Sequence, residues 1–538
     1  MRRRQTLLME LLVGICLVSI LISGSAYSGE AVSPKTQGEP QYVTRLRKEG
    51  VRLAHLTCMP ESIEGMAKIG CNTIMLNTYA LQMFKDLKKT TPPDSDEIIR
   101  ESDLYRTKVI LKNTADACKK SNVVCVAAID GLAEDAAIIL SKHKYRFFVD
   151  ADGNKGTITP CPLERRYWFG FMLPQFLTQA RALRASDTPG GAIFDLEFYA
   201  GGDIYPFWFS KDICYCDTCW TDFCRESTKR KSKVNLPEKE RGAWVRKQGL
   251  TDDYHKVMES RLCSLMKEFA GECRSVCPDF MLGFYPYVPN WMSNAILRGW
   301  STPEIPALAM SESEFYQGFY YYSEERLSSL RKTGINALYV GAVFQGSCYP
   351  EHYASMLDEL CRRADGYWLY YSAMFFNPVA AQRLKPPDEG TQYTLSALPD
   401  EYFRELTRAN AAVDKGRSLP ARFPHKFDLM PLLKKVDTDT AKEPKTVVWE
   451  TPAVEIQPQV NLGGLCWQSD LDAKKLTISV HDASTGEKLL YGGKSGMQLS
   501  RLSFMTHRKF IFRIAYEGVM DDSSGLVKKF WLDASKAL

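Results

Sequence analysis

A chain of 538 residues with 45% hydrophobic and 25% charged side chains holds ample apolar material for a large core, which excludes disorder as the state of most of it. The length suits two domains, or one large domain with an appendage. Lys and Arg outnumber Asp and Glu by 69 to 64, too small an excess to point to nucleic acid.

Arg2, Arg3 and Arg4 precede an apolar run over residues 7–22 that is broken only by Glu10, and Gly24-Ser25-Ala26 follows with small residues where a signal peptidase cuts. Residues 1–26 are therefore expected to be a signal peptide, with the mature chain exported to the periplasm or the outside. Removing them takes away three arginines and one glutamate and leaves a charge of +3. A retained membrane anchor is the alternative, but the run is short for a span. Cys16 lacks a small residue before it, which argues against a lipid anchor. No stable membrane insertion is expected after cleavage. Residues 27–45 are rich in Ser, Gly, Pro and Gln and read as a linker.

From Val51 short apolar runs alternate with amphipathic helices, the pattern of parallel strands joined by crossover helices. Eight strands are expected at 52–56, 73–77, 123–129, 192–198, 281–285, 307–310, 337–343 and 367–371. Helices are expected at 62–69, 114–120, 162–183, 255–277, 323–333 and 352–364, with another at 401–414 after the eighth strand. Eight such units argue for a (β/α)8 TIM barrel over residues 46–420, with long inserts after strands three and four. The strands are continuous apolar runs, as strands covered on both faces should be. An open doubly wound sheet is the alternative, but no glycine-rich phosphate loop opens any helix. Beyond Pro420 the pattern changes. Residues 476–480 read as a strand and 482–486 as a turn; 510–516 and 529–532 read as further strands. A β-sandwich domain is expected over 440–538.

The stretch Gly191-Ala192-Ile193-Phe194-Asp195-Leu196-Glu197-Phe198 carries the chemistry. Side chains alternate along a strand, so Asp195 and Glu197 share a face. Pointing into a barrel near its C-terminal end, they would lie where such enzymes act. Two carboxylates this close repel, and one keeps its proton near neutral pH. A protonated carboxyl is what a departing glycosidic oxygen requires. The bland alternative is a pair of salt bridges to loop arginines.

Other groups fall at strand ends. Glu312 and Glu314 follow strand six and are candidates for a nucleophile or base. Asp130 follows strand three, and Tyr285 and Tyr287 belong to strand five and its loop. Trp208, Trp291 and Tyr371 offer rings on which a sugar could stack. His55 ends strand one, where a hydrogen-bonded structural histidine is the commoner role. Each of these singly is more readily a packing or loop residue than a catalytic one.

Sixteen cysteines include Cys16 of the leader. The remaining fifteen cannot all pair within the chain. Cys71, Cys125 and Cys263 sit in strand or helix patterns and read as small buried hydrophobes. Cys214, Cys216 and Cys219 form a C-x-C-x-x-C run just after strand four, too tight for unstrained disulfides but suited to sharing a tetrahedral Zn2+. Cys161, on the insert after strand three, can supply the fourth ligand, with Cys224 as a local competitor. The expectation is a structural zinc site and no organic cofactor; a disulfide pair plus free thiols is the alternative.

At these residues the chain resembles the family-42 glycoside hydrolases, β-galactosidases of the barrel clan whose fourth strand carries the acid/base. Cys161-Pro162, Cys214, Cys216 and Cys219 match that family's zinc-holding cysteines in order and spacing, and Glu197 falls where its acid/base glutamate does. The resemblance covers residues 120–225; elsewhere it is that of a barrel only. Two departures stand out. Leu196 replaces the clan's Asn before the acid/base, and strand seven ends in Gly341-Ala342-Val343-Phe344-Gln345-Gly346, without the clan's nucleophilic glutamate. Asp195-x-Glu197 also resembles the end of the family-18 chitinase motif, although Gly190 and Ile193 stand where its earlier acids belong. There the substrate's own N-acetyl group is the nucleophile.

The reading that follows is a glycosidase acting on an oligo- or polysaccharide, with Glu197 as general acid/base and Asp195 as its partner or as an orienting group. A carbohydrate-binding barrel without catalysis is the second reading, and a zinc-dependent hydrolase the third.

Overall fold

The computed structural model describes residues 38–56, 60–77, 101–132, 145–198, 212–227, 235–312, 314, 321–345, 349–385, 394–417 and 419, and then 425–436, 446–456, 462–469, 472, 474–492, 495, 497–499, 509–517 and 527–534. Ten strands and most of the helices belong to the first part. The strands are β1 (Val51–Leu56), β2 (Thr73–Asn77), β3 (Val124–Leu132), β4 (Phe147–Val149), β5 (Lys155–Pro160), β6 (Gly190–Phe198), β7 (Met281–Tyr285), β8 (Ala307–Ser311), β9 (Ala337–Phe344) and β10 (Gly366–Tyr370). The longer helices are α1 (Gln41–Glu49), α2 (Pro60–Lys68), α3 (Glu101–Lys120), α4 (Leu173–Ser186), α5 (Asp217–Glu226), α6 (Glu238–Lys247), α7 (Thr251–Val276), α8 (Trp291–Trp300), α9 (Tyr321–Lys332), α10 (Pro350–Arg363) and α11 (Pro399–Asp414).

Eight of these strands close into a parallel barrel in the order β1-β10-β9-β8-β7-β6-β3-β2. The chain is thus a (β/α)8 TIM barrel with further β-sheets after it. Alternation along each strand separates two cores. Val51, Leu53, Met75, Val126, Ile193, Met281, Met310, Val340 and Trp368 fill the interior. Leu56, Ile74, Phe194, Phe284, Tyr339 and Leu369 face the helices.

Each expected strand lies within three residues of its observed bounds. Strand four starts earlier than its apolar run because Gly190 and Gly191 open it. A Cβ there would sit 1.8 Å from the Cys125 carbonyl oxygen and 1.7 Å from that of Met281, so neighbouring backbones exclude any larger residue. The antiparallel pair β4–β5 was not among the expected strands: its first strand is three residues long and sits in an insert. Neither α6 nor α8 was among the expected helices.

The linker boundary at 45 also moves. Residues from Gln41 are helical, and Tyr42, Val43 and Leu46 of α1 pack into the interior core. The helix is tied to residues that precede three strands. Tyr42 Oη donates to the Asp279 carbonyl at 2.5 Å, Arg45 to that of Asn122 at 2.9 Å, and Arg47 to Asn336 Oδ1 at 2.6 Å. It therefore plugs the N-terminal end of the barrel and leaves the C-terminal end for chemistry.

The C-terminal strands are β11 (His425–Asp428), β12 (Lys434–Val436), β13 (Thr446–Glu450), β14 (Val454–Glu455), β15 (Leu462–Gln468), β16 (Leu476–Asp482), β17 (Lys488–Gly492), β18 (Met497–Gln498), β19 (Lys509–Glu517) and β20 (Lys529–Ala534). One antiparallel sheet runs β11-β20-β15-β18, the other β12-β13-β19-β16-β17, with β14 pairing β19. Leu465, Phe530 and Leu532 of the first meet Ile478, Phe512 and Ile514 of the second in one core, which makes a sandwich. It begins at β11, ahead of the expected boundary at 440. Among the described residues no helix is long and apolar enough to cross a membrane.

Candidate active site

Asp195 and Tyr285 are register partners on adjacent strands β6 and β7. Tyr285 belongs to the interior core, so both side chains face inward. The Tyr285 hydroxyl donates to Asp195 Oδ2, and Asp195 is only 4% exposed. A carboxylate this buried needs such a donor, since desolvation disfavours its charge. Position 130 on β3 pairs directly with Asp195 on the other side. The side chain of Asp130 lies outside the described residues. Glu197 lies on β6, two residues beyond Asp195, and its side chain too is outside the described residues. Trp208 falls outside them entirely.

An aromatic band runs from Tyr285 around strands β10 and β1. Trp368 lies 5.4 Å from Tyr285 and 5.8 Å from Tyr370 between ring centroids. Tyr370 is 5.5 Å from Phe344, and His55 is 5.2 Å from Tyr370 and 5.3 Å from Tyr371. The Trp368 indole is fixed by its bond to the Ser311 carbonyl at 2.9 Å. His55 is 2% exposed and packs as part of this band. The sequence reading picked out His55, Tyr285 and Tyr371 but missed Trp368, Tyr370 and Phe344. The available signal was parity: each lies an even number of residues from an inward-facing neighbour on its own strand.

The strand-six acids part company. Glu312 lies just past the end of β8 and is partly exposed. Glu314 is fully buried on the helix side of β9. It accepts from Tyr339 Oη at 2.8 Å and from the Ala342 amide at 3.3 Å, beside the space a Cβ on Gly341 would enter. Tyr287 also turns to the helix side, packed 6.0 Å from Tyr339 and 6.2 Å from Phe284. Its hydroxyl is buried with no partner among the described residues, and burial pushes its pKa up. Trp291 opens α8, where Asn290 caps the helix by accepting from the Ser293 amide at 2.8 Å. Its ring stacks 6.1 Å from His255, whose Nε2 lies 2.9 Å from Asp212 Oδ1. At the end of β9 Gln345 is fully buried; its side chain accepts from the Tyr371 amide at 2.7 Å and its carbonyl from Tyr402 Oη at 3.0 Å.

The four cysteines singled out by spacing do come together. Cys161, Cys214, Cys216 and Cys219 are all buried, with their sulfurs within 4.8 Å of one another. Cys161 Sγ lies 3.5 Å from Cys219 Sγ and 3.7 Å from Cys216 Sγ. None of the four is joined in a disulfide, whose sulfurs lie ~2.05 Å apart. The observed separations suit a tetrahedral metal, for which bonds of ~2.3 Å set sulfurs roughly 3.8 Å apart. Cys224, on α5, is not part of the group. Hydrogen bonds from the other three thiols draw the Cys216 pKa far down, while thiol neighbours and burial push Cys161 and Cys219 up.

The group joins two inserts. Cys161 follows β5, Cys214 and Cys216 precede α5, and Cys219 lies in its first turn. Amides of Val149 and Leu163 approach Cys214 and Cys161 Sγ at 3.4 Å each. Tyr254 of α7 donates to the Cys214 carbonyl at 2.6 Å and stacks on Tyr215 at 4.6 Å, which ties the group to the barrel's helix layer.

No protein-family model and no curated relative matches the sequence. Solved structures with a similar fold include the catalytic domain of a β-amylase from Paenibacillus polymyxa, at 10% identity and a TM-score of 0.42, covering 67% of this chain and 99% of that one. A β-galactosidase from the haloarchaeon Halorubrum lacusprofundi shows 11% identity and a TM-score of 0.41 over 68% of this chain and 58% of its own. A β-galactosidase from Marinomonas ef1 shows 10% and 0.43 over 68% and 60%. The present chain thus spans less than two thirds of either galactosidase. At such values the chemistry must be argued from this chain's own residues.

Proposed function

We propose that the protein is a glycoside hydrolase acting on an oligo- or polysaccharide, with Glu197 as general acid/base and Asp195 beside it. The observation that carries this is the Asp195 carboxylate, buried and held by Tyr285 at the edge of an aromatic band inside the barrel. A buried carboxylate in apolar surroundings is costly and marks a site of chemistry more often than of support. Of the rings in this band, Tyr370 and Tyr371 are the partly exposed ones and could meet the apolar face of a sugar. Glu312 is the strand-six acid retained as nucleophile or base, since Glu314 is engaged with Tyr339. Carboxyl groups ~5–5.5 Å apart give retention and ~6.5–9.5 Å inversion, so product stereochemistry reports the Glu197–Glu312 separation.

The metal proposed for the four cysteines is zinc, held by Cys161, Cys214, Cys216 and Cys219 in a closed structural site. Its chemistry would be structural: four thiolate bonds pinning the β4–β5 insert to α5. Export through the leader belongs to the same proposal and is checked by the N-terminal sequence of the mature chain.

Release of reducing sugar from a glycan panel by the purified protein, compared with Glu197→Gln and Asp195→Asn, tests the reading. Loss of turnover in both variants supports it. Unchanged turnover in Glu197→Gln rejects the acid role. The second reading, a barrel that binds glycan without cleaving it, is favoured by one feature: β9 ends in Phe344 and Gln345, with no carboxylate. Binding by the unaltered protein with no product from any glycan would select it.

A further inference from the structure

At the C-terminal mouth of the barrel the parallel ladder between β9 and β10 ends with Phe344 opposite Tyr370. One residue further along, a side chain takes over from the ladder: Gln345 Oε1 accepts from the Tyr371 amide at 2.7 Å. The Tyr371 carbonyl accepts from the Met374 amide at 3.0 Å, so the backbone of this tyrosine is bonded on both sides. Gln345 is itself held from behind. Its carbonyl accepts at 3.0 Å from Tyr402 of α11, whose hydroxyl also accepts from the Ser396 amide at 3.3 Å. The Tyr402 ring is fixed in turn by Phe375 at 5.2 Å and Tyr353 at 5.5 Å.

This chain of bonds runs from the core to the surface. Gln345 and Tyr402 are each 0% exposed, whereas Tyr371 is partly exposed. A buried amide is costly where an apolar residue would pack as well, so the position asks for what a hydrocarbon lacks, an acceptor aimed at one backbone N–H. What that bond fixes is the base of a ring. The rings of Tyr371 and His55 meet at a steep angle, 5.3 Å apart, and Tyr370, the other partly exposed ring of the band, lies 5.7 Å away. With its backbone bonded and its ring against a buried histidine, Tyr371 has little freedom left to lose when a ligand stacks on it. A ring ordered beforehand binds better than one that must be ordered by the ligand.

We infer that Gln345 is a positioning residue for glycan binding: its bond to the Tyr371 amide fixes the Tyr371 ring as the platform on which a sugar rests at the mouth of the barrel. The inference rests on the glycan-acting reading of the barrel.

Mixed-linkage β-glucan, galactan and glycol chitin are offered to the unaltered protein, and kcat and KM are measured on the one turned over fastest. The dissociation constant for each glycan is measured in the Glu197→Gln background by affinity electrophoresis, and it carries the test alone where glycan is bound without turnover. Gln345→Met keeps the volume and removes the acceptor. It should raise KM and the dissociation constant roughly tenfold, the worth of one well-placed ring contact, with kcat and the pH profile little changed. Gln345→Glu keeps the acceptor and should restore both constants to within about threefold of the parent. Tyr371→Ala removes a partly exposed ring, so it spares the buried bond network and should show the loss seen in Gln345→Met. Combining the two should cost nothing further, because both act through one ring. Unchanged binding in Gln345→Met or in Tyr371→Ala overturns the inference, as do losses that multiply in the double variant. A fall in kcat at unchanged KM overturns it too, since Gln345 would then act on the reacting atoms. Absence of turnover and of retardation with all three glycans ends the glycan reading itself and this inference with it; a variant that behaves like its parent ends this inference alone.

Discussion

Replacing Glu314 by leucine separates a structural acid from a chemical one. The carboxylate accepts from Tyr339 Oη at 2.8 Å and the Ala342 amide at 3.3 Å, and it is 0% exposed. Leucine fills much of the volume but accepts nothing, so both donors are left buried without this partner. At about 1–3 kcal/mol for each of the two unsatisfied groups, the loss is roughly 2–6 kcal/mol. A large domain shifts by about 2–4 °C per kcal/mol, so the melting temperature should fall by roughly 4–24 °C. Differential scanning calorimetry measures the shift, and glycan turnover per folded molecule is followed well below the transition. Turnover should stay within a few-fold of the parent. Glu314→Gln keeps one acceptor and should lose less stability. Gly341→Ala should act on the same spot from the other side, because its Cβ would meet Leu360 at 2.5 Å and Glu314 at 3.1 Å. If Glu314→Leu melts like the parent but has no turnover, the assignment is reversed and this acid belongs to the reaction.

Metal analysis of the purified protein should find close to one zinc per chain, and a strong chelator should lower the melting temperature; Cys219→Ser should abolish stoichiometric zinc, whereas Cys224→Ser should not. Tyr285→Phe removes a donor that favours the ionised form of Asp195, so the Asp195 pKa rises and the acidic limb of the activity profile moves to higher pH. Tyr287→Phe deletes a buried hydroxyl with no partner among the described residues, and should leave that limb in place and the melting temperature equal or higher. Leu46→Ala in α1, at 1% exposure, should cost about 2–5 kcal/mol in chemical denaturation, a loss no flexible linker residue would show.

The barrel was legible because its strands are unbroken apolar runs, a pattern that parallel strands buried on both faces require. Strand five matched residue for residue. The cysteines were equally legible, since C-x-C-x-x-C restricts which bonds the sulfurs can make, and Cys161, on the neighbouring insert, rather than Cys224 joins the group. What the sequence hid was direction. Glu312 and Glu314 sit two apart just past β8, where strand alternation no longer governs, and Glu314 is drawn to the outer layer by Tyr339 and the gap at Gly341. Tyr287 likewise follows the end of β7, and its ring went to the helix layer. The first half of α1 reads as linker because the stretch before it is polar and a nine-residue helix offers only Tyr42, Val43 and Leu46 to bury.

That small helix has a consequence for how the ring is assembled. Its tyrosine reaches a carbonyl 237 residues away and its arginine an amide 289 residues away, so the earliest-made element of the barrel is among the last able to seat. Its polar anchors are not all in place until the residue before the seventh barrel strand has been made. Docking of α1 thus acts as a latch that closes only on a finished circle, and protection of its amides against exchange would time the moment of closure.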